Sequence, residues 1–368
     1  MSGSTQSGLA APALEGRAAP VVITGGSGFI GCNVAESFLR DGRDVVILDN
    51  LSRPGVRQNL DWLKANYGER VHPLIADIRD LEAIEPVLKE AGAVFHFAAQ
   101  TAVTTSLSDP FEDFEVNARG TLNILETLRR AGRRTPVIFA STNKVYGALE
   151  DLEMMELDDS CMPISGDVQH QGISESRSLS FCTPYGCSKG VADQYMVDYA
   201  ASFGIPTAVL RMSCVYGPRQ FGTEDQGWVA HFLIRALEGE PITVFGNGKQ
   251  VRDILHVADA VTAYRLVLDH IDTAHGQVFN LGGGMHNAVS LRIVLQEIRH
   301  ITGLKPAVEW ADWRPGDQHY FVSDTARLRR QFGWSATIGW REGLRQLFAW
   351  LRDVRGLGRS SEEERLTA

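Results

Sequence analysis

From residue 20 onward, short apolar runs and amphipathic stretches take turns along the chain. The runs are "PVVITG", "DVVILD", "RVHPLIAD", "AVFHFAA" and "PVIFAS", rich in Val, Ile and Phe. Between them "FIGCNVAESFLRDG", "GVRQNLDWLKANYG", "DLEAIEPVLKEAG" and "PFEDFEVNARGTLNILETLRRAG" repeat apolar residues at helical spacing and close on glycine. Strands that are apolar throughout are covered on both faces, so the alternation predicts a doubly wound, parallel α/β (Rossmann) sheet. A further helix runs from "TPYGCSKG" to about Gly204, and "IPTAVLRMS" adds another buried strand.

Beyond residue 212 the rhythm loosens. Helices are expected at "GWVAHFLIRALEGE", "DAVTAYRLVLDHI" and "SLRIVLQEIRHITG", and two short strands around the turn in "PITVFGNGKQVRDILHV". This predicts a smaller mixed α/β domain over 213–355, following the doubly wound domain over 20–212, with exchange of elements between them allowed for. Residues 1–19 read as a disordered leader and 356–368 as a tail. The stretch 148–183 is acidic, polar and nearly aperiodic, and reads as a long functional or mobile loop.

Composition removes several classes of function. With 36 basic and 45 acidic residues the net charge is −9, which disfavours non-specific binding to nucleic acid or to an anionic membrane. No run approaches the roughly 20 apolar residues of a membrane span. The five cysteines have no metal-ligand spacing and read as reduced thiols of a cytoplasmic protein, with no metal site.

Three motifs carry chemistry. "TGGSGFIG" places Gly25, Gly28, Phe29, Ile30 and Gly31 at a strand-to-helix turn, where backbone amides at a helix start hold a pyrophosphate. Asp49, followed by Asn50, closes the next strand eighteen residues after Gly31, where a carboxylate accepts from both ribose hydroxyls. A carboxylate there repels a 2′-phosphate, so the cofactor is read as NAD rather than NADP, with Arg53 and Arg57 as the opposing feature. Asp77, beside Ile78, either reaches the adenine or caps the following helix. Ala98, Ala99 and Gln100 end the fourth strand in small residues that leave room for the cofactor's middle. The third motif is distributed. Ser141 and Thr142 fall at the carboxyl end of the fifth strand, beside the expected crevice, and Tyr185 and Lys189 share one helix face. An ammonium close to a phenol favours phenolate, so the pair reads as a proton-transfer device.

These residues resemble the extended short-chain dehydrogenase/reductase family, in particular its nucleotide-sugar epimerases and dehydratases. The likeness runs from about residue 20 to 352 through "DNLSRPG", "STNKVYG", "PYGCSKGVADQYM", "YGPRQFGTEDQGWV", "GNGKQVRD" and "RPGDQ". Asn143 and Lys144 stand where the dehydratases carry Asp-Glu, which argues against water elimination. The resemblance implies that Tyr185 takes a proton from a sugar hydroxyl while Thr142 bonds the reacting oxygen. Lys189 lowers the phenol's pKa and holds the nicotinamide ribose, and Asn117 belongs to the catalytic strand region as a cofactor-binding residue. It implies substrate contacts from Thr142, Asn143, Gln226, Gly227 and Trp228, the last equally readable as core, and diphosphate contacts from Arg252 and Arg314. The implied reaction is epimerisation at carbon 2 of a CDP-linked deoxyhexose, by oxidation to a ketone and return of the hydride to the other face. The implied assembly is a homodimer through helices around 110–131 and 184–203. Cys214 departs from the family, where many relatives carry Asn. The alternatives are a 4-epimerase acting on a UDP-hexose or UDP-uronic acid, and a non-catalytic NAD-binding regulator.

Overall fold

A computed structural model describes residues 19–355; the predicted leader, but for Ala19, and the tail at 356–368 lie outside the described residues. Seven strands form the central sheet: β1 (Val21–Thr24), β2 (Val45–Asp49), β3 (Val71–Ile75), β4 (Ala93–His96), β5 (Val137–Thr142), β6 (Thr207–Met212) and β7 (Gln277–Leu281). Their order is β7-β6-β5-β4-β1-β2-β3 and every pairing is parallel. The order reverses between β1 and β4, which opens a crevice at the carboxyl ends of those strands. β1, β2, β4 and β5 are buried along their whole length, as their unbroken apolar runs require.

Each face of the sheet has its own core. On one side α1 (Phe29–Arg40) and α2 (Val56–Tyr67) bring Val34, Leu39, Leu60 and Leu63 onto Ile23, Ile47 and Phe95. On the other, α3 (Leu81–Glu90), α4 (Gly120–Arg130) and α5 (Thr183–Phe203) bring Leu88, Ile124, Leu128 and Met196 onto Val22, Val94 and Phe139.

The two halves of the sequence exchange elements in space. β7 is the edge strand of the central sheet, and α7 (Val257–Asp269), which follows α6 (Trp228–Glu238), buries Ala263, Tyr264 and Val267 in the first core. Leu328 and Trp334 join the same core from near the chain end. What remains of the second half surrounds strand Val251–His256, which pairs with Ala288–Ser290, Tyr320–Phe321 and Cys214–Tyr216. α6, α8 (Leu291–Thr302) and α9 (Trp340–Val354) pack there through Leu233, Val294, Ile298, Leu344 and Leu347. Both strands expected around the Gly-Asn-Gly turn form, but not with each other: Ile242–Phe245 pairs with Val308–Ala311.

Two stretches differ from the sequence reading. Residues 148–183 hold a hairpin of Met154–Glu156 and Cys161–Pro163 and a helix, Gly166–Gln171. Ile173 then ties the segment to the second half through Ile173 N–Val322 O (2.7 Å) and Asp324 N–Ile173 O (2.9 Å). The long helix before Ala131 is divided: Pro110–Phe114, a wider π turn at Glu115–Arg119, then α4. Among the described residues no helix is long and apolar enough to cross a membrane, and no cluster of three or more His, Cys, Asp and Glu is placed to hold a metal.

Beneath the crevice lies a buried ion pair. Asp193 on α5 accepts from Arg211 on β6 twice (2.9 and 2.8 Å) and from the Ser141 hydroxyl of β5 (2.7 Å). Arg211 also donates to the Tyr146 hydroxyl (3.1 Å), which donates to Asn280 of β7 (2.7 Å). Removing one partner of such a pair strands a desolvated charge. Asp193→Ala is therefore expected to lower unfolding stability by about 3–5 kcal/mol, and the double change Asp193→Leu/Arg211→Met by less than that. Denaturant melts of both variants read this directly; a larger loss in the double variant contradicts it.

Candidate active site

A single cavity of about 670 Å³ at the carboxyl ends of the strands is lined by every candidate site residue of the sequence except Asn117, and by Arg53 but not Arg57. At its glycine-rich end the backbone is crowded. Gly25 has φ +65°, and a Cβ there would sit 2.7 Å from the Ala98 amide nitrogen; one at Gly31 would run into the Gly25 carbonyl. Only glycine satisfies both constraints. α1 starts at Gly28 without a side-chain cap, and the Ser27 hydroxyl beside it is buried with no partner among the described residues. Free amides at a helix start, bare backbone and an orphaned hydroxyl are what a dinucleotide's pyrophosphate requires, so the residues present fit NAD. Phe29 and Ile30 complete this wall.

Asp49 is held by the amides of Ser27 (3.0 Å) and Leu51 (2.8 Å). Burial pushes its pKa up, and these bonds pull it back. Asp77 is not the cap of α3; that is Asp80, which accepts from Ala83 N (3.2 Å). Asp77 instead accepts from Arg79 Nε (2.9 Å) and Asn50 Nδ2 (3.0 Å), and the Arg79 hydrogen bond draws its pKa down to about 2. Asp77, Asn50 and Ile78 thus form a fixed wall at the far end of the cavity. Ala98 N donates to Thr24 Oγ1 (3.2 Å), and Ala99 and Gln100 line the same wall.

Asn117 lies outside the cavity, in the π turn, and clamps it from behind. Its Oδ1 accepts from Gln100 N (2.9 Å), and its Nδ2 donates to Gln100 O (3.0 Å) and Ser188 Oγ (3.0 Å). The end of β4 is thereby bonded to the helix that carries Tyr185.

Thr142 ends β5 and its hydroxyl meets the Tyr185 phenol. The electrostatics differ from the sequence expectation. Burial pushes Tyr185 up to about 12, with Asp113 adding to the rise; the Thr142 hydrogen bond and the charge of Arg53 oppose it. Lys189 is not the cation acting on the phenol: its ammonium donates to Ala140 O (2.7 Å) and lies 4.1 Å from the centre of the Phe139 ring. Burial pulls Lys189 down to about 7, against Asp193 and Asp113. Shared helical spacing brings the two side chains to one cavity, but desolvation is the largest influence on each. Arg53, read in the sequence only for cofactor choice, reaches across to Thr101 Oγ1.

On the substrate side Asn143 lines the cavity, with its amide engaged inside the protein. Its Nδ2 donates to Gln318 Oε1 (3.1 Å), and its Oδ1 accepts from Thr142 (3.3 Å). Lys144, its neighbour, lines the cavity beside it and is not among the site residues the sequence suggested; the signal lay in "STNKVYG". Arg252 is buried and pairs with Asp317 (2.7 Å). Arg314 lies 3.8 Å from the Phe245 ring centre and is bridged to Glu224 (3.3 Å) and Asp225 (3.4 Å). Gln226 closes a tight turn with Thr223, and Gly227, φ +79°, starts α6 without a side-chain cap. Trp228 serves both readings: it packs against the apolar cluster of α6, α8 and α9, lines the cavity, and donates to Cys214 Sγ (3.4 Å). Cys214 at this departure from the family therefore anchors an indole.

The Lys189 shift makes stability depend on pH. Its folded pKa, about 7, lies below the ordinary 10.5, so the unfolded chain binds more protons between those values and stability rises with pH across that window. Lys189→Met is expected to stabilise the nucleotide-free protein most at and below about pH 7, with the advantage fading toward pH 10.5. Denaturant midpoints across that range test this; a difference that does not change with pH contradicts it.

The NAD dependent epimerase/dehydratase family matches residues 21–282. CDP-paratose 2-epimerase of Salmonella typhi is 39% identical over 343 residues, covering 91% of this chain and 99% of that protein. The crystal structure of Thermus thermophilus UDP-glucose 4-epimerase with NAD superposes with a TM-score of 0.76 at 33% identity, covering 90% of this chain and 99% of that one. UDP-glucuronic acid 4-epimerase of Bacillus cereus, solved with UDP-glucuronic acid and NAD, gives 0.78 at 26% identity over 91% and 99%. With the glycine turn, the Asp49 carboxylate and the Thr142–Tyr185 contact in one cavity, the chain belongs to the NAD dependent epimerase/dehydratase family and is an enzyme of the extended short-chain dehydrogenase/reductase type whose cofactor is NAD.

Proposed function

We propose that this enzyme inverts carbon 2 of a CDP-linked deoxyhexose, interconverting CDP-paratose and CDP-tyvelose. The observation that carries this reading is the 39% identity to the 2-epimerase across nearly the whole of both chains. Asn143 and Lys144 support it, since neither side chain is the carboxylic acid of a dehydratase.

Bound NAD supplies the hydride acceptor and returns the hydride. Thr142 orients the hydroxyl on the reacting carbon, and Tyr185 takes its proton and later gives it back. The phenolate this needs is favoured by the Thr142 hydrogen bond and the Arg53 charge and opposed by burial, each pKa unit being about 1.4 kcal/mol. Lys189 would hold the nicotinamide ribose, and Asp49, Asp77 and the glycine turn the adenosine and pyrophosphate. Residues 20–212 would act mainly as the NAD-binding domain and 213–355 as the nucleotide-sugar domain, with α7 and β7 lent to the first. Gln226, Gly227 and Trp228 would face the nucleotide, and Arg252 and Arg314 its diphosphate.

The working unit of this proposal is a homodimer in the cytoplasm. Five free thiols and the need for NAD support the compartment. Exposed Leu107, Phe111 and Phe114, together with exposed Tyr195 and Phe203 of α5, support pairing through these helices; Phe111 is 85% exposed.

Tyr185→Phe is expected to lower turnover of CDP-paratose by roughly 10³-fold while the protein keeps its NAD, measured as nucleotide released on denaturation. Retained turnover sinks the assignment. Nuclear magnetic resonance of products from CDP-paratose, UDP-glucose and UDP-glucuronic acid separates carbon 2 from carbon 4 inversion, and a 4-epimer as the product favours the UDP-hexose reading. Sedimentation is expected to give a dimer for the native chain and a monomer for Phe111→Lys; a native monomer contradicts the assembly.

A further inference from the structure

We propose that Lys144 is a substrate-binding cation that grips the diphosphate of the nucleotide sugar alongside Arg252, with Asp317 holding both cations when no substrate is bound. The inference rests on the nucleotide-sugar reading above and adds to it a residue and a charge balance.

The balance is uneven across the cavity. Arg314 at the mouth has two carboxylates, Glu224 and Asp225. Deeper in, Arg252 and Lys144 share the single carboxylate of Asp317, at 2.7 and 3.5 Å. The remaining titratable neighbour of Lys144 is the Cys214 thiol, which burial keeps protonated. This corner therefore carries one uncompensated positive charge in a desolvated place, and burial accordingly pulls the Lys144 pKa down. Its ammonium has three donors but only long contacts, Gly316 O at 3.2 Å and Asp317 Oδ1 at 3.5 Å. A diphosphate brings both the missing charge and the missing acceptors.

Position agrees with charge. The Lys144 amide donates to Thr142 Oγ1 (3.2 Å), so its stem starts at the group that meets the reacting hydroxyl. Its ammonium ends beside the carboxylate shared with Arg252. A ligand whose sugar lies against Thr142 and whose phosphates meet Arg252 passes its anomeric oxygen and first phosphate by this ammonium. Both residues line the cavity, but the Asn143 amide is already paired with Gln318, so Lys144 is the side chain of the pair with donor capacity left for a ligand.

Isothermal titration of the NAD-loaded protein with CDP, UDP and cytidine tests this, on the native chain, Lys144→Met and Lys144→Arg. Lys144→Met is expected to weaken CDP binding at least tenfold and cytidine binding less than twofold, with NAD content unchanged, and Lys144→Arg to restore CDP affinity to within about threefold of native. CDP affinity in Lys144→Met within twofold of native overturns the inference, as does an equal loss for CDP and cytidine, or an arginine variant as weak as the methionine one. A native chain that binds neither CDP nor UDP overturns the nucleotide-sugar reading and this inference with it.

Discussion

The ion pair between Asp193 and Arg211 is the constraint on which the rest of the site depends. Both side chains are withdrawn from water, so each is tolerable only while the other and its hydrogen bonds are in place. Those bonds reach Ser141, next to Thr142, and through Tyr146 to Asn280. Asp193 also lies one turn beyond Lys189 on α5, and its charge is the largest favourable influence on that ammonium. One polar contact thus sets the relative position of β5, β6, β7 and α5, the elements that carry the reacting groups or support them. A purely apolar interface there could slide; a bidentate guanidinium–carboxylate pair has one register.

Burial is the second organising force, and it acts on the reacting groups themselves. Tyr185 and Lys189 are both pushed toward their neutral forms in the nucleotide-free chain, the phenol up to about 12 and the amine down to about 7. Neither is charged by the other. The anionic form of the phenol is supported from the side by Thr142 and Arg53, so its acid–base behaviour belongs to the cavity as a whole rather than to one helical pair. The substrate half is under the same pressure, since burial also pulls the Lys144 pKa down where Lys144 and Arg252 share the carboxylate of Asp317.

Much of this architecture was legible in the sequence because it is local. Unbroken apolar runs identify buried parallel strands, and a glycine turn between a strand and a helix identifies a phosphate-binding site without reference to distant residues. The places where the reading diverged involve pairings that sequence spacing does not encode. β7 follows β6 by some seventy residues, so its return to the sheet edge is a tertiary event. The stretch 148–183 is polar because much of it stays at the surface, yet backbone bonds to Val322 and Asp324 order it. Helical spacing placed Tyr185 and Lys189 in one cavity but could not show that burial governs both groups and that Thr142 and Arg53, not Lys189, favour the phenolate. Nor does spacing show that Gln318, distant in sequence, takes up the Asn143 amide.

These forces together describe a crevice in which hydride leaves one sugar carbon and returns to it without exchange with solvent. The most direct measurement is the fate of label when CDP-paratose deuterated at carbon 2 is incubated with the enzyme in ordinary water. The account predicts that CDP-tyvelose forms with the deuterium still on carbon 2 and with the other carbons unlabelled. Loss of that deuterium to water, in step with inversion, would contradict it.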